Sequence, residues 1–204
     1  MNFLEFRDIF KDFGCFSLNN IRMVLPCFSR INLIRWTERG YIVPLRQSWY
    51  MFADDTNHPD MMEFVACKIY QPSYISLHYA LSFYGLIPEG VFSCTSVTTS
   101  KTNSFENRLG TFRCYHLKPD LFFGYTVLRS DVLNILMATV EKAVLDLLYL
   151  FPMYQTEKDM SDLRFDEDII ENEFDCERFN TFLERFKCLA LDRRARVFLK
   201  TYGL

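Results

Sequence analysis

Five arginines stand between Ser17 and Phe52: Arg22, Arg30, Arg35, Arg39 and Arg46, against one acid, Glu38. Five minus one gives this segment a charge of +4, in a 204-residue chain whose formal net charge is -3. The guanidinium is a planar fork that matches phosphate oxygens and guanine edges, so the chemistry on offer is recognition of nucleic acid. On a helix, Arg35 and Arg39 are four apart and share a face, which Asn32, three before Arg35, joins. Asparagine is the side chain that pairs bidentately with adenine. The candidate DNA-binding set is Arg30, Asn32, Arg35, Arg39 and Arg46, with Gln47 and Ser48 beside the last. The bland alternative is a solvated face, or a module that binds protein. Arg193, Arg194, Arg196 and Lys200 form a second basic patch, again with a solvated face as the plainer reading. The acidic balance of the whole chain excludes wholesale coating of nucleic acid but leaves room for one basic face.

The elements around the arginines follow from spacing. Phe3, Phe6, Phe10 and Phe13 make the apolar stripe of a first helix, closed by Gly14. Ser17 opens a second, with Leu18, Ile21, Val24 and Leu25 inward and Pro26 as its stop. Ser29 caps a third, Arg30 to Arg39, closed by Gly40, with Leu33, Ile34 and Trp36 available to the core. Tyr41 to Val43 and Trp49 to Phe52 are two short strands. Three helices and a hairpin inside about 50 residues is the order of a winged helix-turn-helix. Asp54 to Asp60 is polar, carries Pro59, and reads as a linker 54–60 between a domain 1–55 and a domain 61–204.

In the second block, Ser76 caps a helix that buries Leu77, Ala80, Leu81 and Tyr84 and ends at Gly85. Val91 to Thr99 is a strand, Lys101 to Asn107 a loop, and Phe112 to Leu117 the returning strand. A strand leads from Phe122-Phe123-Gly124-Tyr125 to Leu128. Arg129-Ser130-Asp131 is a turn, and Val132 to Met137 is another strand. Thr139 caps a core helix with Val144, Leu147, Leu148 and Phe151 inside. On it, Glu141, Lys142 and Asp146 read either as a structural ion pair or as part of a positive surface. Tyr154 to Asp175 is acidic and reads as a long loop or arm. Two helices close the chain, one capped by Asp175 and one over Leu191 to Tyr202. The fold class expected is α+β, a winged helix-turn-helix followed by a larger mixed α/β domain.

The run "ALSFYGLIPE", then "TSVTTSKT", "FRCYHL", "FFGY" and "EKAVLDLLYL", resembles the AbiEi family of antitoxins and transcriptional regulators of type IV toxin–antitoxin systems. It is densest over Tyr74 to Leu150. Arg35 to Ile42, with Leu45, Arg46, Trp49 and Tyr50, resembles the end of that family's recognition helix and its wing. Many relatives carry glycine in the wing turn where this chain has Gln47-Ser48. A tight positive-φ turn is costlier without glycine, so a longer or less ordered wing is expected. The resemblance implies binding to double-stranded DNA at the chain's own promoter. It also implies antagonism of a nucleotidyltransferase-like toxin without a stable complex. The alternative is a stand-alone regulator whose second domain senses a ligand or a partner.

Enzyme signatures do not assemble. There is no GxGxxG, no GxxxxGK[ST] and no GxSxG. Asp166-Glu-Asp168 has carboxylate-pair spacing inside a run of acids that reads as a solvated loop. Cys114-Tyr-His116 is the one close Cys/His pair, too few ligands for a zinc site. The seven cysteines include no CxxC and read as reduced, mostly buried thiols. No catalytic residue, metal or cofactor is expected. No stretch reaches the roughly 18 apolar residues of a membrane span. MNFLEFRD lacks a signal-peptide core, so the expected compartment is the cytoplasm.

Overall fold

A computed structural model describes residues 1–130 and 133–204. It mixes helices with two β-sheets. Helix α1 (Phe3–Phe10) opens on a capping box between Asn2 and Glu5 and buries Phe6 and Phe10. Phe13 falls in a 3-10 turn after it, packed beside Phe10 but 40% exposed. Gly14 reverses the chain at φ +65, and a Cβ there would stand 2.7 Å from the Phe64 ring. Both the conformation and the close approach demand glycine. Strand β1 (Phe16–Ser17) leads into α2 (Leu18–Val24), where Ser17 and Asn20 cap each other reciprocally. Of the four residues expected inside α2, Ile21 alone is fully buried, and Val24 is exposed. Helix α3 (Arg30–Glu38) follows Ser29, which takes the cap position without a side-chain bond. β2 (Ile42–Arg46) and β3 (Trp49–Phe52) form a hairpin, and β1 pairs with the free side of β3. A core of rings, chiefly Phe6, Phe10, Phe16, Phe28, Trp36 and Phe52, closes under these elements.

The stretch 54–60 is ordered: a 3-10 turn over Asp54–Asn57 runs within three residues into α4 (Met61–Ile69). Asp54 pairs with Arg7 at 2.9 Å. Beyond it lies a six-stranded sheet, β6-β7-β5-β4-β9-β8. Its strands are β4 (Ser73–Ile75), β5 (Ser93–Thr98), β6 (Asn103–Asn107), β7 (Gly110–His116), β8 (Tyr125–Ser130) and β9 (Leu133–Ala138). β5 and β7 run parallel, as do β4 and β9; the other neighbours are antiparallel. Phe112 to Leu117 is therefore not the return of a hairpin from β5. Its antiparallel partner is β6, in the stretch read as a loop. β6 is an edge strand with one apolar residue, Phe105, so its composition carries little strand signal. β4 carries no sequence signal either, because its three residues are all buried and show no alternation. The turn expected at Arg129-Ser130-Asp131 is strand through Ser130, while Asp131 and Val132 lie outside the described residues.

Helix α5 (Leu77–Phe83) buries Leu77, Ala80 and Leu81, as its spacing predicts. Helix α6 (Val140–Leu150) is buried from Val140 to Leu148. The acidic stretch read as a loop or arm holds two short helices, α7 (Glu157–Ser161) and α8 (Glu167–Glu173). Met160, Leu163, Phe165, Ile170 and Phe174 anchor it to the core at irregular spacings that give no helical period. Helix α9 (Cys176–Phe186) is capped by Asp175, and α10 (Leu189–Thr201) ends the chain. The larger hydrophobic cluster belongs mostly to residues from Met61 onward, yet it includes Cys15, Val43, Leu45 and Met51.

Candidate functional site

Helix α3 buries Leu33 and Trp36 and turns Arg30, Arg35 and Arg39 outward, with Arg22 of α2 also exposed. None of these four makes an ion pair or side-chain hydrogen bond among the described residues. Ile34, expected to be available to the core, is 53% exposed, and Ile31 is 56% exposed. Leu33 and Trp36 fix the inward side, so Ile31, Ile34, Arg35 and Glu38 form the outermost stripe. Its chemistry is apolar contact with one guanidinium and one carboxylate, and Arg30 and Arg39 lie to either side. Asn32 is half-buried and lines a groove with Val24, Leu25, Pro26 and Phe28. Arg39 lines a separate cleft with Phe3, Arg7 and Tyr41. Asn32, Arg35 and Arg39 thus share a helix without converging on one pocket.

The hairpin differs from expectation in two ways. Gln47 and Ser48 make a two-residue turn with φ +30 and +68, so the turn is tight without glycine. Arg46 does not project into solvent. Its guanidinium lies 4.6 Å from the ring centre of Tyr70 and 4.7 Å from that of Phe105. Asn107 Nδ2 donates to the Leu45 carbonyl at 3.3 Å beside it. This member of the candidate DNA-binding set is held between the end of α4 and the edge strand β6. The aromatic partners lie 24 and 59 positions along the chain (70 − 46 and 105 − 46), beyond any local signal.

The second basic patch does not form as a patch of four. Arg194 is buried and donates through Nε to the Leu148 carbonyl at 2.8 Å. Lys200 pairs with Glu157. Arg193 and Arg196 remain exposed.

Lys142 belongs to no positive surface, because it is fully buried. Its Nζ bonds Asp146 and donates to the Tyr74 hydroxyl at 2.8 Å. The Tyr74 hydroxyl donates to Asp146 at 2.9 Å, and the Ser76 hydroxyl to the same carboxylate at 2.8 Å. The Lys142 ammonium also faces the rings of Phe123 and Phe186, each at 5.0 Å. Burial lowers the Lys142 pKa, with Asp146 acting in the opposite sense, and burial raises that of Tyr74 well above the ordinary phenol. Nearby, Glu141 is buried and accepts from the Asp175 backbone N–H at 3.0 Å. These groups satisfy one another inside the fold.

Sequence reasoning missed a cleft of about 560 Å³ against the sheet face of β5 and β7. Arg113, Tyr115, Thr95 and Ser93 contribute from the strands, His78 from α5, and Phe151 and Tyr154 from the segment after α6. With Asp162, the lining comes from five stretches of the chain and shows no local motif. His78 Nε2 stands 3.4 Å from the Tyr154 hydroxyl, and burial lowers the imidazole pKa. Phe151, expected inside α6, sits just past its end, edge-to-face with both His78 and Tyr115.

Among the described residues no group of three or more His, Cys, Asp or Glu could hold a metal ion. No helix there is long and apolar enough to cross a membrane. Asp166 caps α8 by accepting from the Ile169 N–H at 3.1 Å. Four of the seven cysteines are buried: Cys15, Cys67, Cys94 and Cys114. No family model and no curated protein matches this chain.

Proposed function

We propose that the chain is a DNA-binding antitoxin of the AbiEi type, whose N-terminal winged helix-turn-helix represses its own operon. The larger domain, 61–204, counteracts a nucleotidyltransferase-like toxin without forming a stable complex. One observation carries the DNA-binding part. The order helix, strand, helix, helix, strand, strand, with sheet order β1-β3-β2, leaves Arg30 and Arg35 exposed on α3, the helix that precedes the β2–β3 hairpin. That element order agrees with a winged helix-turn-helix, in which the helix before the hairpin serves as the recognition helix. The antitoxin part rests on the sequence resemblance between Tyr74 and Leu150. The protein acts in the cytoplasm and needs no metal or cofactor, and it is not an enzyme.

The test is a promoter reporter with a growth assay, run on the chain co-expressed with the adjacent gene. Repression that Arg35→Ala abolishes, with growth rescue retained, supports both parts. A chain that neither shifts its promoter fragment nor rescues growth refutes them. The cleft beside His78 favours a second reading, a winged-helix regulator whose second domain senses a small ligand. Absence of a nucleotidyltransferase gene next door, together with ligand-dependent repression, would select it.

A further inference from the structure

We propose that the cleft between His78, Arg113 and Phe151 binds a nucleoside monophosphate, with the phosphate on Arg113 and the base against the aromatic wall. The inference goes beyond the DNA-binding reading and does not depend on it. The cleft, about 560 Å³, falls within the roughly 300–1,000 Å³ of small-molecule sites. Its wall is unusually rich in rings: His78, Tyr115 and Phe151 pack edge-to-face, and Phe92 lines the same cleft at 93% exposure. A planar base covers such rings without demanding a particular sequence of hydrogen bonds.

The polar groups are few and available. Arg113 is exposed and makes no ion pair among the described residues. The Ser93 hydroxyl lines the cleft, buried and without a hydrogen-bond partner. A buried unmatched hydroxyl calls for a ligand or water to complete it. Two acids reach the cleft. Glu89 is tied to Arg164 at 3.0 Å, which leaves Asp162 alone to oppose Arg113. The Arg113 guanidinium can fork onto one phosphate, and a single cation facing Asp162 falls well short of the charge of a triphosphate.

The backbone provides an independent sign. Leu77, fully buried, adopts φ +64, immediately before His78. A left-handed leucine is strained, and such strain persists where the surroundings fix it, commonly at ligand sites. Here the Ser76 hydroxyl is engaged by Asp146 and does not cap α5, so the strained residue aims His78 from a buried anchor.

The experiment is calorimetric titration of the full chain with AMP, GMP, CMP and UMP, the matching nucleosides, and a 5′-phosphorylated tetranucleotide. The expected result is binding of at least one monophosphate, weakened about tenfold or more by Arg113→Gln, since hydrogen bonds to charged groups are the strong ones. The nucleoside should bind the wild type and Arg113→Gln alike, and Tyr115→Leu should weaken both ligand types. Arg35→Ala should leave these affinities unchanged while altering duplex binding, which separates this site from α3. Binding of the tetranucleotide alone, lost in Arg113→Gln, overturns the mononucleotide assignment in favour of a strand end. A chain with an unchanged melting curve that binds none of these at millimolar concentration overturns the proposal. So does monophosphate binding indifferent to Arg113→Gln.

Discussion

The Arg46 guanidinium stands 4.7 Å from the ring centre of Phe105, so the hairpin of the small sheet is held by the edge strand of the large one. Tyr70 offers a second ring at 4.6 Å. A cation over a ring is worth about 0.5–2 kcal/mol depending on desolvation. Urea unfolding of Arg46→Ala, Phe105→Leu and the double variant should give a coupling in that range. A coupling near zero would mean that the contact is incidental. If the chain binds its promoter as proposed, Arg46→Ala should leave the salt slope nearly unchanged, whereas Arg30→Ala or Arg35→Ala, where they meet phosphates, should lower it by about one each.

The buried thiols make stability fall in alkali. Burial pushes Cys15 and Cys67 up to about 12, from an ordinary value of 9.0. Their folded pKa is raised, so their contribution is complete below pH 9 and is lost as pH rises toward 12. Each thiol should add a slope of about −1.4 kcal/mol per pH unit within that window. Urea midpoints between pH 8.5 and 11 should decline less steeply for Cys67→Ala than for the wild type. Parallel curves would show that Cys67 does not ionise on unfolding in this range.

Asp146 is the common acceptor for Lys142, Tyr74 and Ser76. Removing one partner of a buried pair strands the other, at about 3–5 kcal/mol. Asp146→Ala should therefore destabilise by that order in chemical denaturation. The double change Lys142→Met with Asp146→Leu should recover much of the loss, because apolar replacement removes both desolvation penalties. A double variant worse than Asp146→Ala would show that the Tyr74 and Ser76 bonds dominate.

Local signals were read correctly where one segment decides its own conformation. The Ser17 cap, the Leu77-Ala80-Leu81 face, the Asp175 cap and the stops at Gly40 and Gly85 are cases of this. What stayed hidden is set by distant chain. β6 is a strand because β7 offers it an edge, not because its residues favour one. Arg46 looked like a free cation because Tyr70 and Phe105 are far away in sequence. Ile34 looked inward because an isoleucine on a helix usually is, and here α3 has too narrow a buried side for it. The cleft joins five stretches, around His78, Ser93, Arg113, Phe151 and Asp162, that nothing in the linear order relates.

The turn at Gln47 and Ser48 stores conformational cost. Both residues have positive φ, a region that asparagine and glycine tolerate far better. Gln47→Asn with Ser48→Gly should raise stability by about 1–2 kcal/mol, the order of the left-handed penalty. The hairpin register should be kept, with Arg46 opposite Trp49. A lower Tm would show that the side chains of Gln47 and Ser48 do more for the fold than their backbone costs.

Cutting the chain within 54–60 tests how far the two modules are separable. All members of the larger core cluster except Cys15, Val43, Leu45 and Met51 lie at Met61 or beyond. The fragment 61–204 is long enough to bury its own core, but it loses those four and uncovers Phe64, on which Gly14 packs. It should fold cooperatively with a lower Tm than the full chain. Fragment 1–55 keeps its ring cluster around Phe6, Phe16 and Trp36, yet it is of a size where folding is marginal. If the larger domain carries antitoxicity, fragment 61–204 should still rescue growth against the adjacent gene's product while repression is lost. Rescue that vanishes although the fragment gives a cooperative melt would place antitoxicity in DNA binding. A fragment 61–204 with no cooperative melt would instead show that the small sheet is part of the larger fold, and that 54–60 is no domain boundary.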